Sequence, residues 1–256
     1  MCLAVIALHA RPDLPLLIAA NRDEFHARPA APAGPWQDRP DIYAGRDLSA
    51  GGTWLGITRA GRYALLTNYR DPRNVRADAP SRGTLVQGYL AGRESPGDYA
   101  DALRPQAGRY NGFNLLAGDC GGCVYLGNRS DAPPRPLPAG VHGLSNHLLD
   151  TPWPKLVRTR EAVAAALRGP APEPQALLDL LADRTPAPDE LLPDTGVGRE
   201  RERLLSPPFI VSPQYGTRCS TVVMVRADGR ASLHERRYDP AGEPCGESSW
   251  EFTIER

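Results

Sequence analysis

The stretch that decides the fold is MCLAVIALHARPDLPLLIAANRDEF, residues 1–25. Two short apolar runs, residues 2–9 and 16–22, flank a connection that contains Pro12 and Pro15. Short apolar runs on either side of turn-forming residues are typical of a β-hairpin. We therefore predict that the chain begins with two antiparallel strands.

The second of these strands ends in a polar quartet, NRDE at residues 21–24. If the turn is centred near Pro12, antiparallel pairing places Cys2 opposite residues 22–23. Side chains alternate between the two faces of a strand, so the quartet divides into two pairs. The sequence leaves open which pair faces Cys2: Asn21 with Asp23, or Arg22 with Glu24.

Cys2 directly follows the initiator methionine, and methionine aminopeptidases remove Met1 when the second residue is small. The mature chain would then begin with a cysteine whose thiol is a nucleophile and whose free α-amine, with a pKa of about 7.7–8.0, is the base. Asp23 could accept a hydrogen bond from that amine, and Arg22 could lower the pKa of the thiol. The alternative is a salt bridge between Arg22 and its acidic neighbours at a strand end.

The rest of the chain predicts more hairpins around a helical middle. Turn residues separate pairs of strand-like runs at 53–58 and 62–68, 113–118 and 124–127, and 218–226 and 231–238, with a last strand at 250–254. Apolar spacing and end signals predict helices at 82–91 after Ser81, 96–104 after Ser95, 154–168 and 173–182. Prolines are most frequent at 28–40, 132–138 and 186–213, which we predict to be surface loops. These elements imply a layered α+β fold, with residues 1–256 as one domain.

Composition excludes several classes of function. The chain has 30 basic and 30 acidic residues and a net charge of zero, so no overall field attracts nucleic acid or an anionic membrane. No run approaches the roughly 18 apolar residues of a membrane span. Five cysteines, an odd number, argue against a disulfide framework, and we expect a cytoplasmic protein. Lys155 is the only lysine, which we attribute to a GC-rich genome.

Several motifs together carry a family resemblance. They are Met1-Cys2-Leu3, residues 17–25 with Arg28-Pro29, Gly51 to Gly56, Leu66 to Arg70, Tyr110 to Leu115, Gly143 to Asn146, and Thr217 to Val222. The chain resembles the NRDE family, the group that includes the animal transport and Golgi organization 2 protein. The matching stretches extend from the first residue to about 225.

The resemblance implies an N-terminal-nucleophile hydrolase architecture, a four-layer αββα sandwich of two mostly antiparallel sheets. A related branch of that architecture uses a Cys nucleophile, an early Arg and Asp, two Asn residues and a late Arg. Carried over, these roles fall on Cys2, Arg22, Asp23, Asn68 or Asn146, and Arg218. The matching stretches also supply the expected substrate-binding residues, Asn21, Glu24, Trp54 and Asn114. In that branch the Arg and the Asp share a face, whereas adjacent residues of a strand point oppositely.

Two functions follow from this resemblance. The first is hydrolysis of a small amide or thioester by Cys2, with no cofactor required and no metal. The second is binding and trafficking of haem or of an acyl-CoA or lipid ligand in the same pocket without turnover, because the family is similar to proteins tied to those ligands. The expected partner is a small molecule, and the oligomeric state stays open.

Three other motifs have simpler interpretations. Cys120 and Cys123 have the CxxC spacing but lie on a predicted hairpin tip, where a turn is the better explanation. His142 and His147 lack a usual zinc spacing and are expected to form hydrogen bonds. The glycine pair at 51–52 is expected to let Trp54 pack under the site.

Overall fold

The computed structural model describes residues 2–255, and its first hairpin forms as predicted. In chain order the strands are β1 (Cys2–Arg11), β2 (Leu14–Phe25), β3 (Ala30–Pro35), β4 (Ile42–Asp47), β5 (Leu55–Thr58), β6 (Tyr63–Asn68), β7 (Phe113–Asp119), β8 (Gly122–Gly127), β9 (Arg135–Pro136), β10 (Gly140–Leu144), β11 (Tyr215–Val225), β12 (Arg230–Tyr238) and β13 (Pro244–Thr253). The helices are α1 (Gly83–Ala91), α2 (Pro96–Leu103), α3 (Pro154–Arg168), α4 (Pro174–Leu180) and α5 (Arg199–Leu204).

The strands form two antiparallel sheets. The first has six strands in the order β10-β1-β2-β11-β12-β13, and the second has seven in the order β3 to β9. β1 and β2 are therefore interior strands with a neighbour on each side. Neither strand of the first hairpin is an edge of its sheet.

Three apolar layers hold the sheets and helices together. Between the sheets, Ile6 and Ile18 belong to the same core as Ile57 of β5. The outer face of the second sheet packs on α1 and α2, and the outer face of the first packs on α3 and α4. The predicted four-layer αββα sandwich is confirmed. Because β1 and β2 are covered on both faces, their sequences are continuously apolar and do not alternate.

The structure corrects several predicted boundaries. The predicted loop at 28–40 contains β3, an edge strand, where proline is tolerated because one side of the strand needs no donor. The other predicted loops contain β9 and α5, and the last strand begins at Pro244 and not at 250. The strands β4 and β10 were not predicted.

The two predicted serine caps have different outcomes. Ser95 caps α2 and accepts a hydrogen bond from the Asp98 N–H at 3.1 Å, as predicted. Ser81 does not cap α1, which begins at Gly83. A Cβ atom at Gly52 would overlap the Gly83 backbone, so this helix start is held by a close contact between two glycines. None of the helices in residues 2–255 is long and apolar enough to cross a membrane.

Candidate active site

Cys2 lies directly opposite Arg22 in the pairing of β1 with β2. Ile6 and Ile18, which are even-numbered like Cys2 and Arg22, belong to the core between the sheets. Since side chains alternate along a strand, Cys2 and Arg22 face that side together, and Asp23 faces the helices. This register settles which half of the polar quartet shares a face with the thiol.

Cys2 and Arg22 lie in a cleft of about 290 Å³. Most of the sequence-predicted residues meet there: Cys2, Arg22, Asp23, Glu24, Trp54 and Asn68. The rim adds residues that sequence reasoning did not name as site residues, chiefly Arg28, Asp47, Arg82 and Asn111. Asn21, Asn114, Asn146 and Arg218 are not among the residues that line it.

Arg22 is a buried cation that has no ionic partner among residues 2–255. Arg22 is only 5% exposed, and its guanidinium carbon lies 4.1 Å from the centre of the Trp54 ring. Within residues 2–255, no carboxylate lies within 4.0 Å of this guanidinium, and no acceptor takes a hydrogen bond from it. A buried charge without a partner is costly, so Arg22 is suited to stabilise an anion in the cleft.

Trp54 reaches Arg22 because of a glycine that the sequence analysis did not identify. A Cβ atom at Gly45 of β4 would lie 2.5 Å from the Trp54 ring. The predicted glycine pair at 51–52 has another function, because Gly52 packs on Gly83. The prediction that this pair makes room for Trp54 was wrong, and Gly45 has that function.

Burial raises the pKa of the Cys2 thiol, the charge of Asp23 adds to that rise, and Arg22 opposes it. The thiol is therefore mostly protonated at neutral pH and needs a base before it can attack. The predicted removal of Met1 lies outside the described residues.

Two asparagines hold the end of β6 at the cleft. Asn68 lines the cleft, and its side-chain amide has no hydrogen-bond partner within residues 2–255. Asn146 is fully buried, and its Nδ2 donates to the Asn68 carbonyl at 3.0 Å. Its own carbonyl accepts from the Arg70 N–H at 2.7 Å. Asn68 is thus the asparagine available to a ligand, and Asn146 positions it.

Asp23 belongs to a buried charged cluster on the helix side of β2. It is 1% exposed, and its Oδ1 accepts from the Thr217 hydroxyl at 2.7 Å. Burial raises the pKa of Asp23, while the positive charges of Lys155 and Arg70 lower it. Arg70 in turn donates to Glu202 at 2.5 Å.

Lys155 was the main omission of the sequence analysis. It is 2% exposed, its Nζ donates to the Leu205 carbonyl at 3.0 Å, and burial lowers its pKa to about 8. A signal was present in the sequence, because Lys155, Thr159 and Val163 recur at i, i+4 and i+8 on α3. The lysine therefore lies on the buried stripe of the helix, and genome composition does not explain it.

Three other predicted site residues make internal contacts away from the cleft. Asn21 donates to the carbonyls of Leu181 and Pro208 at 2.8 and 2.9 Å. Asn114 is fully buried and bonded to Thr67, Tyr125 and the His147 carbonyl. Arg218 donates to the carbonyls of Phe25, His26 and Arg28, which fixes the loop after β2. Their assigned substrate contacts stay predictions that this geometry does not support.

Arg28 and Arg82 add positive charge to the rim. Arg28 donates twice to one oxygen of Asp47, at 2.6 and 2.8 Å. Arg82 donates to the Gly112 carbonyl at 2.9 Å, and no carboxylate within residues 2–255 lies within 4.0 Å of it. The described residues contain no cluster of metal-ligating side chains. What the cleft offers is a thiol beside two cations without ionic partners.

Comparison with known proteins identifies the family. A family model described as Transport and Golgi organisation 2 matches residues 1–240. The chain belongs to the Transport and Golgi organisation 2 family. The human Transport and Golgi organization protein 2 homolog is 36% identical over all of both chains, and the bovine homolog is 37% identical over 92% of each. The Drosophila melanogaster protein is 27% identical over 95% of each chain.

Two solved structures are similar in backbone to this member of the family. The C2A mutant of conjugated bile acid hydrolase from Clostridium perfringens gives a TM-score of 0.49 at 7% identity, over 99% of this chain and 98% of that one. The Caenorhabditis elegans ortholog of N-acylethanolamine-hydrolyzing acid amidase gives 0.49 at 9% identity, over 86% and 92%. Both are distant likenesses.

Proposed function

We propose that this protein is an N-terminal-cysteine hydrolase that acts on a small amide or thioester. One observation carries the proposal: Cys2 lies directly opposite the buried Arg22, which has no carboxylate partner in residues 2–255. A cation in that position stabilises a thiolate and the oxyanion that forms when the thiolate attacks a carbonyl.

The reaction has two steps. The Cys2 sulfur attacks the carbonyl carbon while the α-amine of the mature chain takes the thiol proton. The amine gives this proton to the departing amine or thiol, which leaves an acyl group on sulfur. Water then attacks the acyl carbon with the α-amine as base, and the carboxylic acid and the free thiol are released. The Asn68 side chain lines the same cleft, and its amide is the proposed donor to the oxyanion.

The register supports separate roles for Arg22 and Asp23, whose side chains point to opposite faces of β2. Because Cys2 is paired with Arg22, a chain that begins at Cys2 directs its α-amine along β1 toward the level of Asp23. The thiol and the amine are different groups, so they need partners on different faces. Arg22 serves the thiol, and Asp23 holds the amine.

A second candidate is a carrier that holds haem or an acyl-CoA or lipid ligand without cleaving it. The observation in its favour is the combination of a thiol with a raised pKa and a cationic wall of Arg22, Arg28 and Arg82. Guanidinium groups bind carboxylates and phosphates, which haem and acyl-CoA carry.

The test compares the wild type with Cys2→Ala and with a control, Cys245→Ala, which removes an exposed cysteine. Each protein is characterised by intact mass, by labelling with a thiol electrophile and peptide mapping, and by a screen of amides and thioesters. We expect Met1 to be absent, Cys2 to react fastest, and turnover to fall by on the order of 10³-fold or more in Cys2→Ala only.

Full turnover in Cys2→Ala would overturn the proposal that the protein is a hydrolase with Cys2 as its nucleophile. Stoichiometric binding of haem or acyl-CoA, with no product released by the wild type, would instead support the carrier.

A further inference from the structure

A second pocket lies on the other side of the chain segment that follows β6. It has a volume of about 460 Å³ and shares no lining residue with the Cys2 cleft. Asn68 lines the cleft, whereas the next residues, Tyr69 and Arg70, line this second pocket. Its other walls are Asp71, Arg73, Arg129, His147, Trp153 and residues 193–196. We call it the arginine–aromatic pocket.

One wall of this pocket is a row of three aromatic rings. The ring centres of Tyr69 and His147 are 4.9 Å apart, and those of His147 and Trp153 are 5.9 Å apart. These rings are tilted to one another by 37° and 45°, and the Arg70 guanidinium lies 4.8 Å from the centre of the buried Trp153 ring. The half-buried rings of Tyr69 and His147 are therefore the ones on which a planar ligand ring can stack.

The hydrogen bonds behind these rings fix what Tyr69 can offer a ligand. The Thr151 hydroxyl donates its proton to the Leu148 carbonyl at 2.8 Å, so it can only accept from His147 Nδ1, at 3.0 Å. Burial lowers the pKa of His147, which keeps the ring neutral, and Nε2 then accepts from the Tyr69 hydroxyl at 2.8 Å. The Tyr69 proton is therefore committed, and its oxygen is left as an acceptor.

Some charged side chains of the pocket form ion pairs, and others do not. Arg70 is bound to Glu202 and Arg129 to Asp71, at 2.5 and 3.0 Å. Arg73 has no carboxylate within 4.0 Å in the described part of the chain. Its side chain lies close to Gly196, because a Cβ atom built at Gly196 would be 3.4 Å from Arg73 Nε.

Asp194 accepts the Gly196 N–H at 3.1 Å, and within residues 2–255 no cation lies within 4.0 Å of its carboxylate. Trp153 adds an indole N–H that has no acceptor in that range. Arg73 and Asp194, both exposed, therefore present one cation and one anion that are unpaired within residues 2–255 in the same pocket as the aromatic row.

We propose that the arginine–aromatic pocket binds an aromatic α-amino acid as its zwitterion. The ligand ring stacks against Tyr69 and His147. Its carboxylate takes hydrogen bonds from Arg73 and the Trp153 indole, and its ammonium donates to Asp194 and to the Tyr69 oxygen. Each of these four groups then has a ligand group of opposite charge or complementary hydrogen-bonding type. This site is independent of the chemistry at Cys2.

Three matched ligands test each contact separately: L-phenylalanine, its amide, which lacks the carboxylate, and its N-acetyl derivative, which lacks the ammonium. Calorimetric titration of the wild type is expected to show phenylalanine binding about tenfold or more tightly than either derivative. Arg73→Gln is expected to remove the discrimination against the amide only. Asp194→Asn is expected to remove the discrimination against the N-acetyl derivative only.

Arg104→Gln is the control, because Arg104 lies outside the pocket and donates only to the Asp131 carbonyl. It should change neither ratio. The proposal is overturned if phenylalanine does not bind at millimolar concentration, or if the wild type binds the three ligands equally. It is also overturned if Arg73→Gln and Asp194→Asn keep the wild-type ratios while remaining folded by circular dichroism.

Discussion

The two faces of the end of β2 carry polar residues in opposite states. On the helix face, the Asn21 side chain donates to two carbonyls and accepts from the Ser220 hydroxyl at 2.6 Å. On the cleft face, Arg22 has only the Trp54 ring beneath it and neither a carboxylate nor an acceptor among residues 2–255. Both side chains are buried, at 1% and 5% exposure.

This contrast separates two uses of a buried polar residue. Hydrogen bonds that are complete within the protein stabilise the fold, because breaking them leaves buried groups without partners. A buried charge without a partner costs stability and is retained where a ligand or a reacting group supplies the partner. If the proposed function holds, neighbouring residues of one motif serve the fold and the chemistry separately.

The largest expected effect concerns the helix face. Asn21→Ala should lower the free energy of unfolding by about 3 kcal/mol, because it leaves two carbonyls and a hydroxyl without their buried partner. Denaturant titration measures this change, and Asn74→Ala, at an exposed asparagine that bonds Asp71, is the matched control. If Asn21→Ala were as stable as the control, the helix face would not be structural.

A somewhat smaller effect is expected on the cleft face, and it should appear in activity. Arg22→Met should lower kcat/KM by about 100-fold, equivalent to about 2.7 kcal/mol of transition-state stabilisation. The free energy of unfolding should fall by no more than about 1 kcal/mol, since the only partner lost is the ring of Trp54. A large loss of stability with unchanged kcat/KM would reverse the contrast between the faces.

The smallest expected effect is on the pH dependence of stability, and it comes from Lys155 on the helix face. The pKa of Lys155 is about 8 in the folded chain, below its ordinary value of 10.5. The unfolded chain therefore binds more protons between these values, so this group makes stability rise with pH across that window. The rise in the free energy of unfolding should be about 1 kcal/mol between pH 8 and 9, and Lys155→Met should remove it.

Thermal or denaturant unfolding at several pH values measures this difference. Lys155 is the only lysine, so no other lysine titrates in the window. Parallel stability curves for the wild type and the variant would show that burial does not lower the pKa of Lys155.

Much of this arrangement could be predicted from sequence. The two apolar runs around Pro12 and Pro15 predicted the first hairpin, and helix α3 was predicted with its observed bounds. The predicted antiparallel pairing placed Cys2 opposite residues 22–23, and the observed partner is Arg22. Local pattern determines these features, so the sequence displays them.

The remaining features depend on contacts that no local pattern shows. The choice between Arg22 and Asp23 required the register, which shifts between Leu8 and Arg11 near the turn. Gly45 lies on β4, a strand that was not predicted, so its contact with the Trp54 ring could not be foreseen. Arg82 comes from a helix start that is held by a contact between two glycines. Lys155 could have been found, because its helical spacing placed it on the buried side of α3.

The cleft combines parts that differ in how freely they can diverge among relatives. Its floor consists of Cys2 and Arg22 on interior strands, where a substitution disturbs two neighbouring strands at once. Part of its rim is a connecting segment, residues 79–82, which belongs to no sheet. Evolution can therefore alter the rim while Cys2 and Arg22 stay in place, and we expect relatives to vary most in that segment.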